Sequence, residues 1–560
     1  MKLRISSCKT AFTKDLTRFT PVWGLYLVGI LLALLPGLVG DEPATVGDTL
    51  GRSLGGLAVL NLAYAALCAQ LLFGDLFRSR LCNALHALPL KRSDWFFCHV
   101  GAGFAFSLVP NTICALLVMP LLGQYWFVSL LWLAVMMLEF LFFFGLAVLS
   151  MVLVGNRFAM VAVYGILNFL SMLILWVIQT VVKPLLLGFY ISGDWFQRFS
   201  PVIWLNNEQK YICFDWVSHA KVFAGLGDGW LYLLILGGVG LLLGGLALLL
   251  YRRRALETAG DFIAFKPLAP IFCVVYTLTV TALFGALGDL FFGELMIFLP
   301  VGFLVGYFTA KMLLGRTIKV FKAKVLLRFG IFAAVVAACV ALIAWDPVGY
   351  RTWTPEPSQV ASVRISNSVD VVLAMNGGME WRESIELDDP EDIAAIVNLH
   401  REVTQKQGEF PDQSVTSLQL CYTLQNGRQV TRVYEYCVPA APLAEFFSRP
   451  EYVLGFTGEK EAYLASVSLV ALENGKLIGK DARALLSAII ADCEAGTMAQ
   501  SGIYHNDGSK YVTWVEFKTK DGRYNSLAIY ANAENTVAWL KENFSLWADE
   551  NSKPEDYFQN

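Results

Sequence analysis

Asp75-Leu76-Phe77-Arg78-Ser79-Arg80-Leu81-Cys82-Asn83-Ala84-Leu85-His86-Ala87-Leu88-Pro89-Leu90-Lys91-Arg92 is a short polar stretch between two apolar runs, each long enough to cross a bilayer. It carries four cations, a helical pattern from Phe77 to Leu88 and a proline stop. A helix so placed lies on the inner membrane face. Phe77, Leu81, Leu85 and Leu88 recur at spacings of four, four and three, while Arg78, Asn83 and His86 point elsewhere. Two readings follow: an apolar stripe that docks on a partner protein, or a basic hairpin held by lipid headgroups.

Composition extends this reading outward. A chain of 560 residues that is 56% hydrophobic and only 16% charged is not a soluble globule, because its long uncharged runs require lipid as solvent. The net charge of -3 hides an asymmetry. From Asp346 onward there are 31 acidic and 18 basic residues, which leaves the preceding portion with a net charge of about +10. The two portions are expected to face different compartments.

At the start, Ile5, Cys8, Phe12, Leu16 and Phe19 fall three or four apart among Lys2, Arg4, Lys9, Lys14 and Arg18, the pattern of an amphipathic helix lying in the interface over residues 1–20. Pro21–Gly40 is too long for a cleaved signal core and is kept as the first span. Eight more spans follow: Leu54–Phe73, Phe96–Leu122, Phe127–Val154, Phe158–Val182, Trp230–Tyr251, Pro270–Leu290, Glu294–Leu314 and Leu326–Trp345. Lysine and arginine collect at Phe77–Arg92, Asn156–Arg157, Tyr251–Lys266 and Gly315–Lys324, which makes these loops and the N-terminus cytoplasmic. Asp41–Asp48, Gly123–Gln124, Lys183–Gly229 and Asp289–Glu294 become outer loops. Nine spans then put residues 346–560 outside the cell.

After a proline-broken linker, that exterior portion reads as an α+β domain. Leu418–Leu424 and Gln429–Tyr436 alternate about Asn426-Gly427, and Val512–Thr519 and Tyr524–Tyr530 about Asp521-Gly522, each a hairpin signal. Helical patterns precede them at Pro390–Val403 and Asp481–Cys493 and follow them at Pro442–Phe447 and Thr536–Asn543, so an internal duplication is expected over 358–450 and 462–546. A two-residue turn at Asn426-Gly427 would set Cys421 opposite Arg432 and Cys437 opposite Thr416, on opposite faces. Those two are therefore not expected to bond and no disulfide framework is evident, while composition leaves open any other disulfide among Cys213, Cys421, Cys437 and Cys493. The five histidines show no metal-ligand spacing, and His400, late in a helix, is explained by the helix's negative end.

Gly51-Arg52-Ser53-Leu54-Gly55 matches the spacing of a nucleophile elbow, but no buried strand precedes it, so it reads as helix-start punctuation. No Walker loop is present; no catalytic residue, cofactor or nucleic-acid partner is expected. Polar groups inside the spans are the remaining signal, since a charge at mid-bilayer costs at least about 2.5 kcal/mol on insertion scales. Glu139, Asn61, Gln70, Asn111 and Asn168 either line a transport path or join helices by hydrogen bonds.

Six spans behind an amphipathic helix, the element Leu85-His86-Ala87-Leu88-Pro89-Leu90-Lys91-Arg92 and the stretch Arg254-Ala255-Leu256-Glu257-Thr258-Ala259-Gly260 together resemble type 2 ATP-binding-cassette (ABC) permeases over about Met1–Lys266. The acidic cluster usual after the second span is reduced here to Asp75. Three further spans with a large exterior domain also depart from the six-span unit, and similar appended domains occur in some Gram-positive permeases resembling the Ytr-type transporters. The resemblance implies that Phe77, Arg78, Arg80, Leu81, Leu85 and Leu88 form a coupling helix seated in a separate cytoplasmic ATPase that binds the ATP. It implies also a second permease, identical or a sister subunit.

The expectation is therefore a polytopic α-helical plasma-membrane protein of about nine transmembrane helices with a C-terminal extracellular α+β domain. Its parts are an interfacial helix (1–20), a six-span permease-like domain (21–266), three added spans (267–345) and the exterior domain (346–560). The expected function is the permease subunit of an ABC exporter. The competing reading is a membrane-anchored extracellular sensor.

Overall fold

The computed structural model describes residues 10–543 with gaps, the longest at 82–90, 367–383 and 498–510. The chain divides into two compact units, Met1–Ile178 with Ser192–Val336, and Gln179–Ile191 with Ala337–Ala374 and Met379–Asn560.

The first unit is helical. Helix α1 (Phe12–Arg18) bends by 59° into α2 (Thr20–Leu38). There follow α3 (Pro43–Leu72), α4 (Arg92–Val118), α5 (Phe127–Leu153), α6 (Arg157–Val182), α7 (Trp230–Arg253), α8 (Ala269–Phe292), α9 (Leu295–Gly315) and α10 (Ala323–Trp345), of which α6 and α10 run into the second unit at Gln179 and Ala337. Eight helices are long and apolar enough to cross a membrane, or nine if the bent pair is one span, among the described residues. The chain is thus built as a polytopic membrane protein.

Helix α5 is the centre of the bundle: Trp132, Phe140, Phe143 and Phe144 are fully buried on it. Its partner α7 approaches until backbones touch. A Cβ on Gly145 would lie 2.4 Å from the Gly240 carbonyl oxygen, and one on Gly240 2.6 Å from that of Leu141. Without side chains there, dispersion contacts between main chains replace the hydrophobic drive that lipid does not supply.

One boundary differs from expectation. Helix α3 begins at Pro43, not near Leu54, so the expected outer loop Asp41–Asp48 is largely helical. Pro43 suits a first helical turn, where its missing N–H is not needed. The cause of the extra turns is a hairpin, β1 (Ile212–Val217) and β2 (Ala220–Leu226), within the expected outer loop Lys183–Gly229. Gly47, Gly51 and Gly55 are four apart on α3; added Cβ atoms on the first two would meet the hairpin, at the Phe214 ring (2.3 Å) and the Ile212 carbonyl (2.8 Å), and one on Gly55 would meet the Asn206 carbonyl (2.8 Å), at the end of the short helix Pro201–Leu205 that precedes the hairpin. The Gly-x-Ser-x-Gly spacing is a packing seam, with Ser53 inside the helix donating to the Leu50 carbonyl at 2.8 Å. Gly51→Leu should force the hairpin away and lower stability by about 1–3 kcal/mol. Faster thiol labelling at Cys213 than in the parent protein checks it; an unchanged rate rejects the seam.

The second unit contains two four-stranded antiparallel sheets. In the first, β3 (Val360–Ser366), β4 (Ile385–Leu387), β5 (Val415–Leu424) and β6 (Gln429–Pro439) lie in the order β4-β3-β5-β6. In the second, β7 (Val467–Leu472), β8 (Gly475–Leu477), β9 (Tyr511–Thr519) and β10 (Tyr524–Tyr530) lie in the order β10-β9-β7-β8. Helix α11 (Pro390–Gln405) buries Ile393, Ile396, Val397, His400 and Val403, spaced as one helical face. Asp389 caps it, accepting from the Glu391 N–H at 3.2 Å. Helices α12 (Lys480–Glu494) and α13 (Glu534–Asn543) accompany the second sheet and meet at Asp492, which accepts from the Thr536 N–H at 2.7 Å and hydroxyl at 2.6 Å.

Two expectations here are corrected. Leu424 N–H bonds the Arg428 carbonyl at 2.9 Å and Gly427 has φ +78°, so the first hairpin closes through three residues, Gln425-Asn426-Gly427, with glycine in the left-handed position. The register shifts by one: Cys421 opposes Thr431, Leu420 opposes Arg432, and a bulge near Ser417 re-sets the pairing so that Thr416 opposes Val438. None of Cys213, Cys421, Cys437 and Cys493 is disulfide-bonded. His400 does not serve the helix end. It is 1% exposed and points at the sheet, with Nδ1 2.9 Å from the Tyr422 hydroxyl and Nε2 2.6 Å from that of Tyr434.

Candidate functional site

The loop after α3 is built in three steps. A tight turn, Gly74–Phe77, follows the helix; Arg78 is extended (φ -115°, ψ 104°); helix resumes at Arg80 and Leu81. The helix expected from Phe77 is therefore interrupted at Arg78, because the turn lets Phe77 pack back against the bundle core. Arg78 and Arg80 are exposed, and Leu81 is 39% exposed. Leu85 and Leu88 lie outside the described residues.

What holds the root of this loop is a pair of arginines. Arg254, buried just past α7, donates through Nη1 to the Met151 and Val152 carbonyls at 2.9 and 3.1 Å and through Nη2 to the Leu76 carbonyl at 3.4 Å. Met151 and Val152 belong to the last turn of α5, whose carbonyls have no partners within the helix, and a cation there also complements the helix dipole. Arg92, opening α4, donates through Nη1 to the Arg252 and Arg254 carbonyls at 3.3 and 2.9 Å, the matching orphans of α7. One residue thus ties α5 and α7 to the exit of the loop's first arm, and the other ties α7 to its return.

The surrounding contacts point the same way. Ala264 N–H bonds the Leu153 carbonyl at 2.8 Å and Gly260 N–H the Gly155 carbonyl at 2.7 Å, folding the chain after α7 over the end of α5. Phe73, Phe96 and Tyr251 pack ring on ring at centroid distances of 5.6–6.5 Å. Asp15 on α1 meets His99 Nδ1 on α4 at 2.9 Å. Asp75, in the turn itself, has its carboxyl pushed above the usual range by burial, with His99 and Arg18 opposing the shift.

The polar residues of the spans divide. Asn61, Asn111 and Glu139 converge with Tyr26, all buried, in a directed chain. Asn111 donates to the Tyr26 hydroxyl at 3.4 Å, Tyr26 to Asn61 Oδ1 at 2.5 Å, and Asn61 to Glu139 Oε2 at 2.9 Å. Tyr64 stacks on Tyr26 with ring centroids 3.8 Å apart. The other two stand apart. Gln70 reaches the Met160 sulfur at 3.6 Å, and Asn168 donates to the Tyr164 carbonyl at 2.8 Å. In this conformation the four-residue chain is closed off from solvent and joins α2, α3, α4 and α5.

Sequence reading missed Tyr26, Arg92, Arg254 and the Asp15–His99 contact. Tyr26 is one hydroxyl in an otherwise apolar span, and Arg254 is the third of three consecutive arginines, indistinguishable from its neighbours by type. Among the described residues, no three histidine, cysteine or acidic side chains are grouped to hold a metal ion. No family model, curated protein or solved structure matches the chain.

Proposed function

We propose that the chain is the permease subunit of an ABC exporter, driven by a separate cytoplasmic ATPase through the loop between α3 and α4. The observation that carries this reading is the hydrogen-bonded root of that loop. Arg92 and Arg254 link it to α5 and α7, so a push on the loop reaches four helices at once. In this reading the basic loops and the N-terminus are cytoplasmic and the C-terminal unit is exterior. Its two sheets share one order, each running second, first, third, fourth strand, which supports an internal duplication. A second permease completes the path between the subunits. Separation of α2 from α5 would then open the Asn61–Glu139 chain to cargo.

The ATPase docks on the exposed side of the loop. Arg80→Glu with Leu81→Glu changes two exposed residues, whereas charging Phe77 would disturb the core. The double variant should keep the thermal midpoint of the parent and lose an ATPase that copurifies with it, by about tenfold or more. Retention of that ATPase at the parental level rejects the coupling role.

One observation favours the alternative of an exterior sensor. Arg432 is 2% exposed with Nε and Nη1 unpartnered, its guanidinium 3.6 Å from the Tyr350 ring centre, and no carboxylate within ion-pair reach among the described residues. A buried cation of this kind calls for an anion. Binding of a carboxylate or phosphate compound to the full-length protein, lost in Arg432→Gln, would support sensing.

A further inference from the structure

The connections around α8, α9 and α10 border a recess of about 690 Å³ that is open to the surface. Five cations line it: Lys266 ahead of α8, Lys311 on α9, Lys319 and Lys322 in the following connection, and Arg328 on α10. No carboxylate lines it, and among the described residues none of the five has an ion-pair partner or a side-chain hydrogen bond. Lys311 rests over the Tyr307 ring at 5.2 Å. The nearby carboxylate of Asp261 is already engaged by Arg316. Five like charges around one open recess, four of them exposed to solvent and none facing a carboxylate in its lining, give it a positive potential that favours an anion.

The remaining walls are of the opposite character. Pro270, Leu314, Val320 and Val325 supply apolar surface, and no side chain of α10 is buried, so an apolar lane leads from the cavity along a membrane-length helix. A recess of this size suits a small polar headgroup rather than a single ion, since ligand cavities run to about 300–1,000 Å³. A ligand with anionic phosphate at one end and hydrocarbon at the other satisfies both halves of the site, which a free phosphate does not.

We propose that this cavity is a binding site for the phosphate headgroup of an anionic phospholipid, whose acyl chains lie along α10. Lys319 and Lys322, exposed in the connection, close over the phosphate, while Lys311 and Arg328 receive it from the helices. The site requires only that the helices sit in a bilayer; it does not rest on the identity of any transported cargo.

The test uses the full-length protein in nanodiscs of phosphatidylcholine, with and without a minor fraction of phosphatidylglycerol, reading phosphatidylglycerol retained per protein after extraction. Lys319→Glu with Lys322→Glu should lower retention about tenfold or more, because each basic residue near an anionic surface contributes about 1 kcal/mol and reversal doubles the change. Lys324→Glu with Arg253→Glu, a charge-matched pair outside the cavity lining, should stay within about twofold of the parent. Equal loss in both variants would mean general surface attraction and overturn the site, as would full retention in the cavity variant. Displacement of the lipid by glycerol phosphate at equal concentration would assign the cavity to a soluble phosphate and overturn the lipid assignment. Matching thermal midpoints of the two variants in phosphatidylcholine alone exclude misfolding as the cause.

Discussion

Arg254→Gln should lower the stability of the helical unit by about 3–5 kcal/mol, the cost of leaving buried carbonyls unpaired plus the loss of charge-assisted hydrogen bonds. Glutamine's amide reaches at most one of the three carbonyls at Met151, Val152 and Leu76 that the guanidinium serves. Arg254→Lys should recover part of the stability through its charge at the end of α5 but not the fork that spans two segments. The measurement is thermal unfolding in detergent, together with proteolysis at the loop after α3, which should quicken in the glutamine variant first. If the exporter reading holds, the lysine variant, folded but loosely tied, should bind its ATPase normally and fail to change ATP turnover when cargo is added. Glutamine and parent proteins with the same midpoint would show that Arg254 is a passive surface cation.

Acidification should selectively loosen the first sheet of the C-terminal unit. Burial, reinforced by the Arg432 charge, lowers the His400 pKa from 6.5 to about 3, so the folded chain keeps its imidazole neutral where the unfolded chain takes up a proton. Stability is therefore complete well above pH 6.5 and is lost as pH falls toward 3, with a slope approaching about 1.4 kcal/mol per pH unit and a total of about 5 kcal/mol. The hydrogen bonds explain why protonation is resisted. Neutral imidazole donates to one of Tyr422 and Tyr434 and accepts from the other, an arrangement the imidazolium cannot keep. The opening free energy of α11 in the whole protein, read from amide exchange after division by the intrinsic rate at each pH, should fall by about 2 kcal/mol on going from pH 7.5 to pH 5. In His400→Gln that pH dependence should vanish; if it persists, another group is responsible.

The spans were legible because bilayer thickness imposes a length that composition alone satisfies, and eight or nine helices stand where apolar runs were read. What the sequence did not show arises where protein, not lipid, surrounds the chain. The extra turns of α3 depend on a hairpin more than 150 positions away, and the Gly47–Gly51–Gly55 seam is visible only once Phe214 and Ile212 lie on it. The hairpin at Asn426-Gly427 was found, yet its register moved by one because a three-residue loop uses the same dipeptide as a two-residue one. At the loop root, Arg254 differs from Arg252 and Arg253 only by where the last turn of α7 ends, which residue type does not encode. The Asn61–Glu139 pair was recoverable as two polar groups in apolar runs, while Tyr26, which joins them to Asn111, has an amphipathic side chain common at any helix position.

Main-chain contact between Gly145 and Gly240 leaves α5 and α7 no cushion of side chains across which to slide, so relative movement there reduces to tilting about a fulcrum. Along α5 the arm from that point to Leu153 is about 12 Å and the arm to Phe127 about 27 Å, at 1.5 Å per residue. A small sideways shove at the short arm is thereby returned at the far face of the bundle roughly doubled and reversed in sense, as in a pair of shears.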